Sequence, residues 1–239
     1  DRFVATVEGG GYGVRHALVN AADFGVPQRR RRVLFFGWRL EDVAPFVPPS
    51  PTHPEERHRT VREALAGLPA PSADRASAAS DDPLHYRMRL SDKNVARLRQ
   101  IPPGKGFESL PVDQRADCHK GGAARIGHRN VYGRLDYDAP SATITARFDS
   151  FTRGMFAHPA EHRNITLREG ALLQSFARSF RFQGTQEEMA ALIGNAVPPL
   201  LAKVLASSVA EHLIGHPPSP VRRATSRGVR RPNPRSQLE

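Results

Sequence analysis

Gln28 is followed by four consecutive arginines, Arg29 to Arg32, and this is the densest concentration of potentially reactive or ligand-binding groups in the chain. A guanidinium is charged at any physiological pH. Its planar fork of donors suits phosphate oxygens, a guanine edge, or negative charge that develops during a reaction. A solvated turn or a generic phosphate patch would account for the same run, so residue type alone leaves these readings open. The single cysteine, Cys118, lies in Asp117-Cys118-His119-Lys120, where the adjacent histidine points elsewhere on most backbones and makes no nucleophile–base pair. The ten histidines are not arranged in metal-ligand spacing, so no metal is expected. No serine sits in a Gly-x-Ser-x-Gly elbow, and no Walker loop or complete dinucleotide fingerprint is present.

The arginine run falls in a polar loop between two strand-like segments, Tyr12 to Val19 and the unbroken apolar run Val33 to Phe36, which reads as a buried strand of an α/β sheet. Ahead of them the chain opens at Asp1 directly into strand-like sequence. Five prolines between 43 and 54 mark a connection between domains. Thr60-Val61-Arg62-Glu63 and Thr166-Leu167-Arg168-Glu169 are capping boxes that open helices. Leu90, Val95 and Leu98 behind Ser91 predict another helix, and the β-branched alternation from Ala142 to Phe148 predicts a strand. A helix from about Glu187 is expected to end at Gly194, with a tight Gly194-Asn195 turn. An apolar stripe from Leu200 to Leu213 then needs a partner surface.

Composition limits the class of function. The 239 residues include 35 Lys plus Arg against 24 Asp plus Glu, a net charge of +11, and all but four of those bases are arginine. Six arginines and one acid lie between Pro217 and Glu239, a segment expected to be disordered. A hydrophobic share of 39% is enough to build a core. One cysteine fits a reducing, cytoplasmic setting. No uninterrupted apolar run reaches the roughly 18 residues of a membrane span, so no membrane partner is expected.

Three separated segments together resemble the DNA cytosine-5 methyltransferase family. Asn20-Ala21-Ala22-Asp23-Phe24-Gly25-Val26-Pro27 leading into Gln28-Arg29-Arg30-Arg31-Arg32 is similar to the family's motif VIII, with Phe24 in place of the usual Tyr. Arg134-Leu135, Pro140 and Thr143-Ile144-Thr145 resemble motif IX. Leu167-Arg168-Glu169, Leu173-Gln174-Ser175-Phe176 and Ile193-Gly194-Asn195-Ala196-Val197-Pro198-Pro199 resemble motif X.

The resemblance implies an α/β fold: the C-terminal part of a Rossmann-like, S-adenosylmethionine-dependent methyltransferase domain plus a small target-recognition domain. Residues 1–40 would end the catalytic domain, 41–162 would form the recognition domain, 163–215 would return to the catalytic domain, and 216–239 would be a basic tail. In the family a thiolate adds to carbon 6 of a flipped cytosine, and the resulting enamine takes the sulfonium methyl group at carbon 5. Matching the motifs puts Arg32 at the base, Arg30 on adjacent polar groups or DNA phosphate, and Gln28 orienting both. Asn195 and Ala196 would lie beside the cofactor, while Arg134, Thr143 and Thr145 would organise the domains or face DNA. The family's Gly-rich, Pro-Cys and Glu-Asn-Val motifs do not occur in this sequence. The expectation is therefore a C-terminal portion that is inactive alone, with most of the cofactor site and the nucleophile in an N-terminal half, on the same or a separate chain. Double-stranded DNA is the expected partner. The alternative is a non-catalytic DNA-binding protein derived from the family.

Overall fold

The computed structural model describes residues 2–40, 44–78, 82–117, 120 and 131–215. Cys118 and the tail beyond Gly215 lie outside the described residues.

The N-terminal segment is a helix, α1 (Arg2–Gly9), rather than the expected strand; none of its residues is buried, and Phe3 meets Phe35 edge-on at 5.0 Å. Strands β1 (Tyr12–Asn20) and β2 (Arg31–Arg39) then pair antiparallel in a register that sets Leu18 opposite Val33 and Val19 opposite Arg32. Between them Asn20 caps a 3-10 turn, Ala21–Phe24. Gly25, at φ 80°, ends the turn in a conformation that a side chain would strain.

The expectation of a fully buried β2 does not hold. Val33 and Phe35 are about half exposed, because this two-stranded sheet is covered on one face only. The covered face packs Val19, Ala17 and Leu34 against Leu201 and Val204 of helix α6 (Pro199–Gly215), joined by Phe24 and Val26. The apolar stripe predicted on α6 thus meets the motif VIII strands. Nor is the proline-rich segment a detached connection. Phe46 is buried against Phe36, and the Thr52 and His53 amides both donate to the Asp23 carbonyl.

A second, larger core gathers helices α2 (Val61–Leu65), α3 (Asp92–Arg99), α4 (Leu167–Leu173) and α5 (Gln186–Asn195) around Leu84, Phe148, Phe151 and Phe156. It also holds a short parallel pair, β3 (Gly133–Arg134) with β4 (Met155–Ala157). The segment after residue 163 is therefore divided: α4 and α5 share the larger core with residues 61–157, and α6 packs on β1 and β2. By length and composition the segment Gln186–Gly215 would suffice to cross a membrane, although Lys203, Glu211 and His212 interrupt its apolar residues. Its backbone is broken between α5 and α6, and α5 buries Met189, Ala190 and Ile193 in the larger core.

Both predicted capping boxes form, with Thr60 and Thr166 accepting from the amides of Glu63 and Glu169. The predicted strand over 142–148 does not. Only Ser141 bridges, to Gln28, and the residues after it turn.

Candidate active site

The backbone of 142–148 leaves the sheet pattern because side chains from motif VIII take its hydrogen-bonding groups. Gln28 is fully buried, and its Oε1 accepts from the Ile144 amide at 3.0 Å. The same amide group's Nε2 donates to the Leu173 carbonyl at 3.2 Å and to Gln174 Oε1 at 2.9 Å. Arg30 is also buried, donating from Nη1 to the Ile144 carbonyl at 3.0 Å and from Nη2 to the Gly194 carbonyl at 3.2 Å. Thr143 Oγ1 donates to the Arg29 carbonyl at 2.9 Å. Motifs VIII, IX and X, far apart in sequence, are thereby joined through amide and guanidinium groups. Burial first, and the neighbouring Arg32 charge second, draw the Arg30 guanidinium below its usual pKa.

One of the sequence-based roles changes. Of the two partners expected for Arg30, adjacent polar groups or DNA phosphate, its guanidinium meets the first, as the Ile144 and Gly194 carbonyls. Gln28 does not bond to either arginine it was expected to orient, since its three partners lie in motifs IX and X. Arg32 stays exposed on β2, with Nη1 on the Arg31 carbonyl at 2.8 Å.

Arg134 ends strand β3. Its guanidinium is buried and donates to the carbonyls of Leu98 (2.7 Å), Ile101 (2.7 Å), His158 (2.8 Å) and Glu161 (3.0 Å). This pins the end of α3 to the 158–162 loop. Thr145 is exposed, and its backbone lies where Gly194 approaches.

The expected tight turn at Gly194-Asn195 is instead the last turn of α5, capped by Ala196. Gly194 is needed for packing: a Cβ there would lie 2.2 Å from the Thr145 carbonyl carbon and oxygen. Asn195 and Ala196 do face an open groove of about 690 Å³, lined also by Gln183, Glu188, Ala191 and Leu192.

Sequence reasoning missed two features. Gln174 is fully buried at the centre of the network, donating to the Ile193 carbonyl at 2.7 Å. Only its place in the Leu-Gln-Ser-Phe stretch could have signalled it. A third capping box, Thr185 with Glu188, opens α5 and was legible as Thr-x-x-Glu.

The site is thus a mixed α/β framework in which a buried Gln–Arg network ties Arg30 to the last turn of α5, Arg32 stays exposed on β2, and Asn195 and Ala196 line a groove at the end of α5. Sequence comparison gives the lineage: residues 1–211 match the C-5 cytosine-specific DNA methylase family, and the chain belongs to it. The type II methylase M.HgiDII of Herpetosiphon aurantiacus is 36% identical over 221 residues, which cover 90% of this chain and 60% of that relative. The type II methyltransferase M.NgoFVII of Neisseria gonorrhoeae is 37% identical over 214 residues, covering 87% and 52%. Among solved structures, a DNA modification methyltransferase encoded in an Escherichia coli prophage superposes with a TM-score of 0.51 at 26% identity, covering 86% of this chain and 62% of that one. The chain spans about half to three-fifths of the length of these relatives.

Proposed function

We propose that the chain is the C-terminal portion of a cytoplasmic DNA (cytosine-5)-methyltransferase that moves a methyl group from S-adenosylmethionine to carbon 5 of a cytosine flipped out of a specific double-stranded site. The observation that carries this reading is the Gln28–Arg30 network, which joins the three family motifs and leaves Arg32 exposed on a rigid strand. Flipping exposes ring atoms that stacking conceals. A guanidinium fixed near the base carbonyl oxygen would stabilise the negative charge that grows there as a nucleophile adds.

S-adenosylmethionine supplies the methyl group when bound. The Asn195–Ala196 groove fits one end of it: the exposed Asn195 amide offers a donor and an acceptor beside the apolar Ala191 and Leu192. Six lining residues enclose only part of such a ligand, so the rest of its site is assigned to the N-terminal half. The nucleophile is assigned there too, since the single cysteine of this sequence follows Asp117 in the recognition region. The exposed apolar face of Leu18, Val33, Phe35 and Phe3 would receive that half, whether it belongs to the same chain or a separate one.

The test is single-turnover methyl transfer with labelled S-adenosylmethionine, comparing the chain alone with the chain joined to or mixed with its N-terminal portion. No incorporation is expected from the chain alone. In the assembly, Arg32→Ala should slow transfer by about 100- to 1000-fold, while Arg31→Ala should cost far less. Incorporation by the isolated chain, or equal losses in the two variants, would overturn the reading.

A further inference from the structure

Gln174 stands where four elements meet. It follows the last residue of α4, and its Nε2 donates to the Ile193 carbonyl at 2.7 Å and the Gly194 carbonyl at 3.3 Å, both in the final turn of α5. Its Oε1 accepts from Gln28 Nε2 at 2.9 Å. The next residue, Ser175, holds a left-handed backbone (φ 68°), unusual for a residue with a side chain, and its Oγ accepts from the Leu200 amide at 3.1 Å in the first turn of α6. Such strain persists only where the surroundings fix it.

The Gly194 carbonyl accepts from both Arg30 and Gln174. One side of this junction leads within two residues to Arg32, and the other leads within two residues to Asn195 and Ala196. A buried amide pair in which each member has several partners fixes relative position more tightly than apolar packing would, since any shift leaves polar groups unpaired.

The geometry points to Gln174 as a positioning residue for methyl transfer. With Gln28 it locks the arginine-bearing strand to the α5–α6 junction, so that the base-side charge and the cofactor-side groove keep one fixed separation. This inference rests on the function proposed above. Gln174 touches neither reactant and acts through Arg30 and the Gly194 carbonyl.

The experiment uses the enzyme assembled from this chain and its N-terminal portion, with Gln174→Leu, Gln28→Leu and the double variant. Single-turnover methyl transfer and equilibrium binding of S-adenosylmethionine are measured well below the thermal midpoint, and the midpoint is recorded separately. Each single variant should be about 100-fold slower, the cost of a displacement of roughly 1 Å in a reacting geometry. The double variant should fall within about threefold of the slower single, because the two amides act as one unit. Cofactor affinity should weaken by about 3- to 30-fold. If Gln174→Leu does not fold, Gln174→Glu replaces it with the same expectation, because it keeps the bond from Gln28 but loses both donations to carbonyls. Variants with lowered midpoints but wild-type rates and cofactor affinity would show a purely structural amide pair and overturn the inference, as would rate losses that multiply in the double variant. An assembled wild type that transfers no methyl group overturns the proposed function itself, whereas working wild type beside equally fast variants overturns only the role of Gln174.

Discussion

Arg30 places its guanidinium on the Ile144 and Gly194 carbonyls, whereas Arg32, two positions on, stays exposed; alternate residues of one basic run therefore divide into one held in the framework and one facing solvent. A similar economy appears around His158, a buried imidazole whose Nδ1 accepts from the Ala160 and Glu161 amides. Burial, and next the Arg163 charge, hold its pKa down at about 4, against 6.5 for a free histidine. The Glu169 beside it is raised by burial, but Arg163, at 2.7 and 2.8 Å, more than offsets this and keeps the carboxyl below its usual range. The unfolded chain therefore binds a proton at His158 below pH 6.5 that the folded chain refuses until about pH 4. Stability is complete above pH 6.5 and falls as pH drops through that window, by on the order of 3 kcal/mol at most. Glu169, with its lowered pKa, adds stability that is present above the ordinary carboxylate range and is lost at still lower pH. Thermal midpoints recorded from pH 7 to 4 should decline in the wild type. In His158→Asn, whose amide oxygen can accept the same two N–H groups, the decline between 6.5 and 4 should flatten. An unchanged slope would show that another group titrates there.

Elements were legible where their causes are local. Thr60 with Glu63 and Thr166 with Glu169 announce their helices within four residues, and Ser91 caps α3 as read. The strand expected over 142–148 failed because its cause lies elsewhere: the Ile144 amide and carbonyl are taken by Gln28 and Arg30, over a hundred residues away. No periodicity within seven residues reports that. The alternation of the arginine run was visible, but which member turns inward was not, since that depends on where α5 ends. Gly194 shows the same limit, reading as a helix stop while serving as the gap through which α5 meets motif IX. Gly194→Ala would drive a methyl group against the Thr145 and Ala146 backbone, at 2.2 to 2.4 Å, and backbone cannot swing aside as a side chain can. The variant should lose about 3 kcal/mol in urea denaturation, at the upper end of overpacking costs. Gly37→Ala, whose nearest obstacle is 3.9 Å away, should change stability by less than about 1 kcal/mol. Equal stability of the two variants would mean that the helix–loop contact is looser than the geometry indicates.

Across the whole molecule, two cores meet along the network of Gln28, Arg30 and Gln174, and charge is distributed unevenly around them. Residues 217–239 carry six arginines and one glutamate, hence +5 of the net +11, which leaves +6 on the rest. Around the seam of motifs VIII and IX, Arg29 and Thr143 line an open cavity of about 460 Å³ with Gly104, Asp136, Pro140 and Met155. On the proposed function, phosphate contacts from these arginines and the tail supply affinity, while base contacts from 41–133 supply the choice of site. Each phosphate neutralised releases counterions, so log affinity should fall with log salt by about 0.9 per contact. Deleting 217–239 should reduce that slope by up to about 5, if each tail arginine meets one phosphate. The ratio of affinities for cognate and unrelated duplexes, measured by titration at matched salt, should stay the same, because on the proposed function base edges are read by residues 41–133. A ratio that collapsed with the tail would move sequence recognition out of the recognition region and into the basic extension.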